Sequence, residues 1–155
     1  MSSSLRWLLI RFYDWIRDPQ AAGVATAPPS TSGLAELAGH RYCVVVSYRA
    51  NGAAIPTTVW FGLADGSLYF RSPGAALKLK RIRKNPAVRI APSNIRGRPR
   101  GAPVECQARI LETNEHARAE EAIAANYGLF RRLYMRAFAA SEKQDDVYVE
   151  VKPLG

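Results

Sequence analysis

The residues best suited to chemistry lie between Arg71 and Ser93, in the sequence RSPGAALKLKRIRKNPAVRIAPS. This stretch holds seven Lys or Arg side chains and no Asp or Glu. Positive clusters of this kind indicate an anionic partner or a solvated helix face. Three interpretations follow: a nucleic-acid patch, a phosphate cradle for a small cofactor, and a solvated basic surface.

The sequence around Pro73-Gly74 is consistent with a phosphate cradle. A strand ending at Ser72 and a helix starting after the turn would bring backbone N–H groups and the positive helix end together. Lys78 would add an ammonium in the first turn, and Arg71 would add a guanidinium. The interpretation as a nucleic-acid patch is disfavoured, because the sequence shows no helix-turn-helix, aromatic stacking motif or zinc site. The residues alone do not decide between a phosphate cradle and a solvated basic surface.

The other reactive residue types give no support to metal or nucleophilic chemistry. Cys43 and Cys106 form no CxxC pair, and His40 and His116 are the only histidines. The sequence also lacks GxSxG and HExxH motifs, so no metal site and no serine nucleophile is expected. A net charge of +9 on 155 residues again indicates an anionic ligand.

The elements that must position these residues are mostly strands. Hairpin signals at Asn51-Gly52 and Asp65-Gly66 predict an antiparallel meander. The predicted strands are residues 42–48, 55–63, 67–72, 87–91, 104–112 and 147–151. So many strands on a short chain favour a mostly β, six-stranded antiparallel split β-barrel with peripheral helices, because closure removes exposed strand edges.

One basic helix is expected inside the stretch described first. Ala75, Leu79 and Ile82 have helical spacing and predict its core face. Asn85-Pro86 is expected to end it, since the residue before proline disfavours helical backbone angles.

Three further helices are expected. A short one is predicted at residues 34–38. Residues 114–125 predict a longer one with Asn114 as its N-cap. Tyr127-Gly128 is expected to break that helix before another at residues 129–140.

The N-terminal residues predict two segments ahead of the barrel. Residues 4–18 combine helical apolar spacing with Trp, Tyr and Arg, which is typical of an interfacial helix on an anionic membrane, or of a helix packed on the domain or a second subunit. The run is too short and too charged to span a bilayer. Residues 19–33 predict a flexible linker. We therefore expect an N-terminal helix (1–18), a linker (19–33) and a cofactor-binding domain (34–155).

From residue 34 onward the sequence resembles a known family. The motifs that carry the resemblance are PTTVW, the Asp65-Gly66 hairpin, LYFRS, KLKRIRKNPAVRIAPSNIRGRP and VECQARIL. In this order they resemble the split-barrel superfamily of pyridoxamine-phosphate-oxidase-like and flavin-reductase-related proteins. Within that superfamily they are most similar to the coenzyme F420-dependent oxidoreductases. The resemblance implies a cytoplasmic homodimer, with residues 4–18 as a peripheral contact to the inner face of the membrane. It also implies hydride transfer from a reduced deazaflavin to a small organic electrophile, such as a lipophilic quinone or an enone.

The same resemblance implies a set of cofactor-binding residues. Arg71, Ser72 and Lys78 would hold the phosphate, with a contribution from Lys80 or Arg81. The strand that would lie along the ring system comprises Pro56, Thr57, Thr58, Val59 and Trp60. The residues that would close the site from the next strand are Ala91, Pro92 and Ser93, and the loop at 96–100 would receive the acidic tail.

One position departs from the family pattern. Ala76 stands where a Ser or Thr commonly precedes the helical lysine by two residues, so one hydroxyl contact to phosphate is missing. FMN is therefore the alternative cofactor, and a non-catalytic flavin-, F420- or haem-binding protein is the alternative function. No catalytic acid or base is assigned, and no nucleic-acid partner is expected.

Overall fold

The computed structural model describes residues 18–138 and 146–154. Side chains are described for residues 18–127 and 146–154. The predicted helix at 4–18 lies, except for Asp18, outside the described residues. Helices in the described part of the chain are all too short or too polar to cross a membrane.

The described residues contain six antiparallel strands that close into a barrel in the order β1-β2-β3-β6-β5-β4. The strands are β1 (Tyr42–Tyr48), β2 (Ala54–Ala64), β3 (Ser67–Pro73), β4 (Ala87–Ser93), β5 (Val104–Ile110) and β6 (Asp146–Pro153). Pairing of β1 with β4 completes the barrel. The predicted six-stranded antiparallel barrel is confirmed.

Alternate side chains of the strands fill the barrel interior, as the two-residue period of a strand requires. The buried residues include Cys43, Val45, Val59, Phe61, Leu68, Phe70, Ile90, Cys106, Val149 and Val151. Helix α1 (Leu77–Lys84) adds Leu79 and Ile82 to the same core. Ala75 was expected on this face, but it is exposed in the turn before α1. The helix begins only at Leu77, because Ala76 has an extended backbone.

Helix α2 (His116–Phe138) continues through the predicted break at Tyr127-Gly128. That prediction is wrong, since a glycine inside a helix costs only about 1 kcal/mol relative to alanine. Tyr127 links the helix to the barrel through two hydrogen bonds. Its hydroxyl donates to the Arg41 carbonyl, and it accepts a 3.3 Å hydrogen bond from the Phe61 N–H.

The start of α2 also differs from the prediction. Asn114 was expected as the N-cap, but it lies inside a short 3-10 turn, Thr113–Glu115, that precedes the helix. Glu112 caps this turn, and its carboxylate and that of Glu115 bond each other's backbone N–H in a capping box. The reciprocal pair satisfies two N–H groups, which a single asparagine cannot do.

A buried carboxylate secures the strands beneath α2. Glu150 of β6 is 5% exposed and accepts hydrogen bonds from the hydroxyls of Ser67 (3.2 Å) and Tyr69 (2.9 Å). Arg109 of β5 donates to the same carboxylate at 3.1 Å and also bonds Glu115. This paired and hydrogen-bonded arrangement is what a buried charge needs to be tolerated.

Residues 19–33, the predicted linker, are packed in their first half. Pro19–Ala25 form a 3-10 helix whose Ala21 and Val24 are buried against Val44, Val46 and Ala91. Arg89 of β4 donates to three carbonyls of this segment, those of Val24, Ala25 and Ala27. The segment therefore lies on the barrel wall instead of connecting freely. A second 3-10 helix, Gly33–Leu37, replaces the short helix expected at 34–38.

Candidate functional site

Strands β2 and β3 are hydrogen-bonded to each other over only part of their length. They pair only where residues 61–64 meet residues 67–70. Before residue 61, β2 continues alongside β1, while after residue 70 β3 continues alongside β6. Along residues 54–60, the β3-facing edge of β2 therefore pairs with no other strand in the described part of the chain. A strand edge of this kind presents backbone donors and acceptors to a ligand.

Strand alternation divides the predicted ring-binding residues between two faces. Val59 is 7% exposed and packs in the barrel core, and Thr57, two residues away, faces the same side, with its hydroxyl donating to the Val45 carbonyl at 3.4 Å. Pro56, Thr58 and Trp60 face outward. Only the outward residues can offer side chains to a bound ring, so Thr57 and Val59 could contribute only backbone groups.

Trp60 is held by two aromatic neighbours. Its ring stacks on Tyr127 of α2, with centroids 4.5 Å apart and planes at 18°, and it meets Tyr42 of β1 edge-on at 6.0 Å. Aromatic pairs at such distances add stability beyond the area they bury. Trp60 therefore forms a fixed aromatic wall beside the opening between β2 and β3.

Lys78 is a half-buried cation on α1. Its ammonium forms no hydrogen bond or ion pair with any described residue. Burial, and to a smaller extent the neighbouring charge of Arg81, lowers its pKa from the usual 10.5 to about 8. A buried charge without a partner is unfavourable, which is the condition expected of a side chain that awaits an anionic ligand.

The other expected phosphate ligands differ in their surroundings. Arg71 forms an ion pair with Asp146. Ser72 is fully buried on the opposite face of β3, where its hydroxyl donates to the Pro73 carbonyl at 3.2 Å. Lys80 is exposed, whereas Arg81 lies three residues from Lys78 on the same flank of α1. The structure thus places Arg81 beside Lys78, whereas the contacts seen for Arg71 and Ser72 are with Asp146 and the Pro73 carbonyl.

Residues of β4 are also separated from the β2 edge. Ala91, Pro92 and Ser93 pair with β1, which lies between β4 and β2. Ala91 is buried beneath the N-terminal 3-10 helix, and the Ser93 hydroxyl donates to the Asn94 carbonyl at 2.9 Å. These three residues therefore lie along β1, on the side away from β2.

The loop at 96–100 approaches the outward face of β2. Gly97 lies so close to Thr58 that a Cβ atom there would be 2.7 Å from the threonine hydroxyl, and its φ of +88° favours glycine. The loop is also tied to the N-terminal segment, because the Asp18 N–H donates to the Arg96 carbonyl at 2.7 Å. These contacts place the loop beside the outward residues of β2.

Two residues near Lys78 were missed by the sequence reasoning. Ser47 is fully buried at the end of β1, and its hydroxyl accepts a 2.7 Å hydrogen bond from Arg81 Nε. Arg49 follows two residues later, within electrostatic range of Arg81. A signal was present: Ser47 and Arg49 are spaced to share one face of a strand. Nothing in the sequence indicated that α1 packs against that face.

Other candidate sites in the described part of the chain are weaker. No cluster of three His, Cys, Asp or Glu side chains could hold a metal ion there. A groove of about 420 Å³ runs between the N-terminal 3-10 helix and the loop that follows β4, lined by Pro19, Gln20, Gly23, Val24, Ala27, Pro99, Gly101 and Pro103. Of the residues that the resemblance assigns to cofactor binding, Pro99 of the loop at 96–100 lines this groove.

Comparison with known proteins agrees with this architecture. No protein-family model and no curated protein matches the chain. Among solved structures, an F420 reductase matches with a TM-score of 0.51 and 16% identity, over 83% of this chain and 97% of that one. An FAD-binding protein from Mesorhizobium loti matches with a TM-score of 0.57 and 13% identity, over 83% and 92% of the two chains. A candidate pyridoxamine 5'-phosphate oxidase from Listeria innocua matches with a TM-score of 0.51 and 18% identity, over 79% and 90%. Identities this low establish the fold alone, and that fold is the predicted split barrel.

Proposed function

We propose that this protein binds a flavin-type cofactor at the opening between β2 and β3 and is an oxidoreductase. Coenzyme F420 is the expected cofactor and FMN the alternative. The observation that carries the proposal is the ammonium of Lys78 on α1, the helix that follows β3, which has no partner among the described residues and lies in a barrel whose β2 edge is not paired with β3 along residues 54–60. Solved proteins of the same fold include an F420 reductase and an FAD-binding protein, which supports this choice.

The residues present fit such a cofactor. Lys78 supplies the charge for a phosphate, and the first N–H groups of α1 add donors that a helix leaves unsatisfied. The Ala76 N–H is not among them, because it donates to the Pro73 carbonyl at 3.0 Å. The donors are therefore those of Leu77 and Lys78, which offset the missing hydroxyl at position 76.

When bound, a reduced deazaflavin or flavin supplies a hydride to an electrophile. The protein's own part is to bind and orient. Backbone groups along residues 56–60 would meet the polar edge of the ring system, and Trp60, fixed by Tyr127, would limit where a planar substrate can lie. Small quinones and enones are the expected acceptors.

We also propose that the site is completed in a homodimer. Leu77 at the start of α1 is 66% exposed, and Ile95 in the loop after β4 is 63% exposed. Large exposed apolar side chains of this kind are what a second subunit would cover. Sedimentation or light scattering of the full chain tests this, with twice the 17.1 kDa chain mass as the expected result.

The function is tested by anaerobic turnover with reduced F420 and quinone, enone and nitroaromatic acceptors. We expect acceptor-dependent oxidation of F420, reduced at least tenfold in Lys78→Glu at subsaturating cofactor. Lys80→Glu makes the same charge change on an exposed flank of the same helix and should stay within about threefold of wild type. Binding without oxidation of the cofactor by any acceptor would favour the non-catalytic alternative. An equal loss of F420 oxidation in Lys78→Glu and Lys80→Glu would contradict the assignment of Lys78 as a cofactor-binding residue.

A further inference from the structure

Three cationic residues lie in the region where α1 packs against the end of β1, near enough for the charge of Arg81 to act on Lys78 and that of Arg49 to act on Arg81. Arg81 is oriented there by the buried Ser47, through a 2.7 Å hydrogen bond from Nε. Arg49 continues the β1–β2 ladder, its N–H donating to the Ala53 carbonyl at 2.9 Å, so its side chain leaves the strand on the same side as that of Ser47. Lys78 shares the flank of Arg81 on α1.

None of these three cations has a carboxylate partner in the described part of the chain. Ion pairs there join other residues: Arg71 to Asp146, Arg89 to Glu105, and Arg109, Arg118 and Lys152 to Glu115 or Glu150. Arg81 uses Nε for Ser47, and its two terminal nitrogens bond no described residue. Burial, and then the charge of Arg49, lowers the pKa of Arg81. Like charges held together without an acid are relieved by a bound anion.

We propose that Arg49 and Arg81, the latter oriented by Ser47, form a second anion subsite next to Lys78. This inference rests on the proposed function and specifies its ligand: an anionic chain longer than one phosphate. A single phosphate, as in FMN, would engage Lys78 alone. The diphosphate of FAD, or a deazaflavin phosphate followed by carboxylates, would engage both subsites.

The geometry suits recognition of an extended anion. Arg81 presents a planar fork that can bond two oxygens at once, and Ser47 restricts its rotation. Arg49 is exposed in the hairpin between β1 and β2, and its charge acts on Arg81. Its removal should weaken the second contact without disturbing the packed core.

The test compares Arg49→Gln with Arg83→Gln, which removes the same charge from an exposed position on α1. Wild type and both variants are titrated calorimetrically, as full chains, with FMN, FAD, F420 and tripolyphosphate at fixed low ionic strength. We expect Arg49→Gln to raise the Kd of FAD or F420, whichever binds, and of tripolyphosphate by about three- to tenfold, while the Kd of FMN changes by less than twofold. Arg83→Gln should leave all four within twofold of wild type.

The outcomes separate the subsite from the proposed function. An Arg49→Gln variant that binds every probe as wild type does, or that loses FMN as strongly as FAD and F420, would overturn the subsite and leave the function standing. If no cofactor binds wild type but tripolyphosphate binds in an Arg49-dependent way, the subsite stands and the proposed function falls. Absence of binding by all four probes overturns both.

Discussion

Replacing Lys78 with methionine should stabilise the fold at neutral pH while it removes ligand binding. Methionine keeps an unbranched side chain of similar length but carries no charge. The Lys78 ammonium is half-buried and has no partner among the described residues, so its removal relieves a desolvation penalty. A residue that is retained at a cost in stability is expected to serve binding or catalysis.

The size of the effect follows from the pKa of Lys78, which burial and the charge of Arg81 together lower from 10.5 to about 8. Each tenfold change in proton affinity corresponds to about 1.4 kcal/mol, so the charged form is disfavoured by at most about 3.5 kcal/mol. Because the side chain is only half-buried, water screens part of this, and we expect Lys78→Met to raise the free energy of unfolding by about 1–3 kcal/mol at pH 7.

The effect should depend on pH in a defined direction. Between about pH 8 and pH 10.5 the folded chain releases the Lys78 proton while the unfolded chain keeps it. The unfolded state then binds more protons, so this group makes wild type more stable as pH rises. The advantage of Lys78→Met should therefore be largest below pH 8 and should shrink towards pH 10.

Urea denaturation of both proteins at pH 7.0 and pH 9.5 measures this difference. Lys80→Met is the matched control, since Lys80 is exposed on the same helix and should change stability by less than about 0.5 kcal/mol. A Lys78→Met variant that is less stable than wild type at pH 7, or an advantage that grows with pH, would show that the ammonium has a stabilising partner and would refute the reasoning.

Three other perturbations test the fold that positions the site. Gly62→Ala should destabilise the protein by about 2 kcal/mol or more, measured by thermal unfolding, because its Cβ would lie 2.2 Å from the Ala122 carbonyl oxygen; unchanged stability would mean that α2 does not pack there. Tyr127→Phe should lower the free energy of unfolding by about 1–3 kcal/mol, since the Phe61 N–H loses its acceptor. Burial alone would raise the pKa of Glu150, but hydrogen bonds from a tyrosine and an arginine outweigh burial and hold it below 4.5. Its contribution is therefore present above pH 4.5 and lost as pH falls further, and Glu150→Gln should flatten the acid limb of a stability–pH curve.

The strands were predictable from the sequence because each carries its own signal. Alternating apolar residues and the turns at Asn51-Gly52 and Asp65-Gly66 fix where strands begin and end, and the observed β1 matches the predicted 42–48. The barrel followed from the number of strands. Tyr127-Gly128 was misread because local propensity suggested a helix break, whereas tertiary contacts of Tyr127 hold the helix together.

The candidate site was only partly predictable. Lys78 was identified from its place after a Pro-Gly turn, which is a local feature. Arg49 and Ser47 were missed because their proximity to Arg81 depends on how α1 packs, and no local pattern records that packing. Arg71 was grouped with Ser72 as a neighbour in sequence, although adjacent strand residues point to opposite faces.

The central claim, that a flavin-type cofactor binds beside Lys78, is tested most directly by equilibrium titration of the purified full chain with F420, FMN and FAD, followed by absorbance and fluorescence. We predict saturable binding of at least one of them, with a Kd of about 10 μM or lower, and at least a tenfold weaker Kd in Lys78→Glu but not in Lys80→Glu. No saturable change with any of the three, or a Kd that Lys78→Glu leaves unaltered, would contradict it.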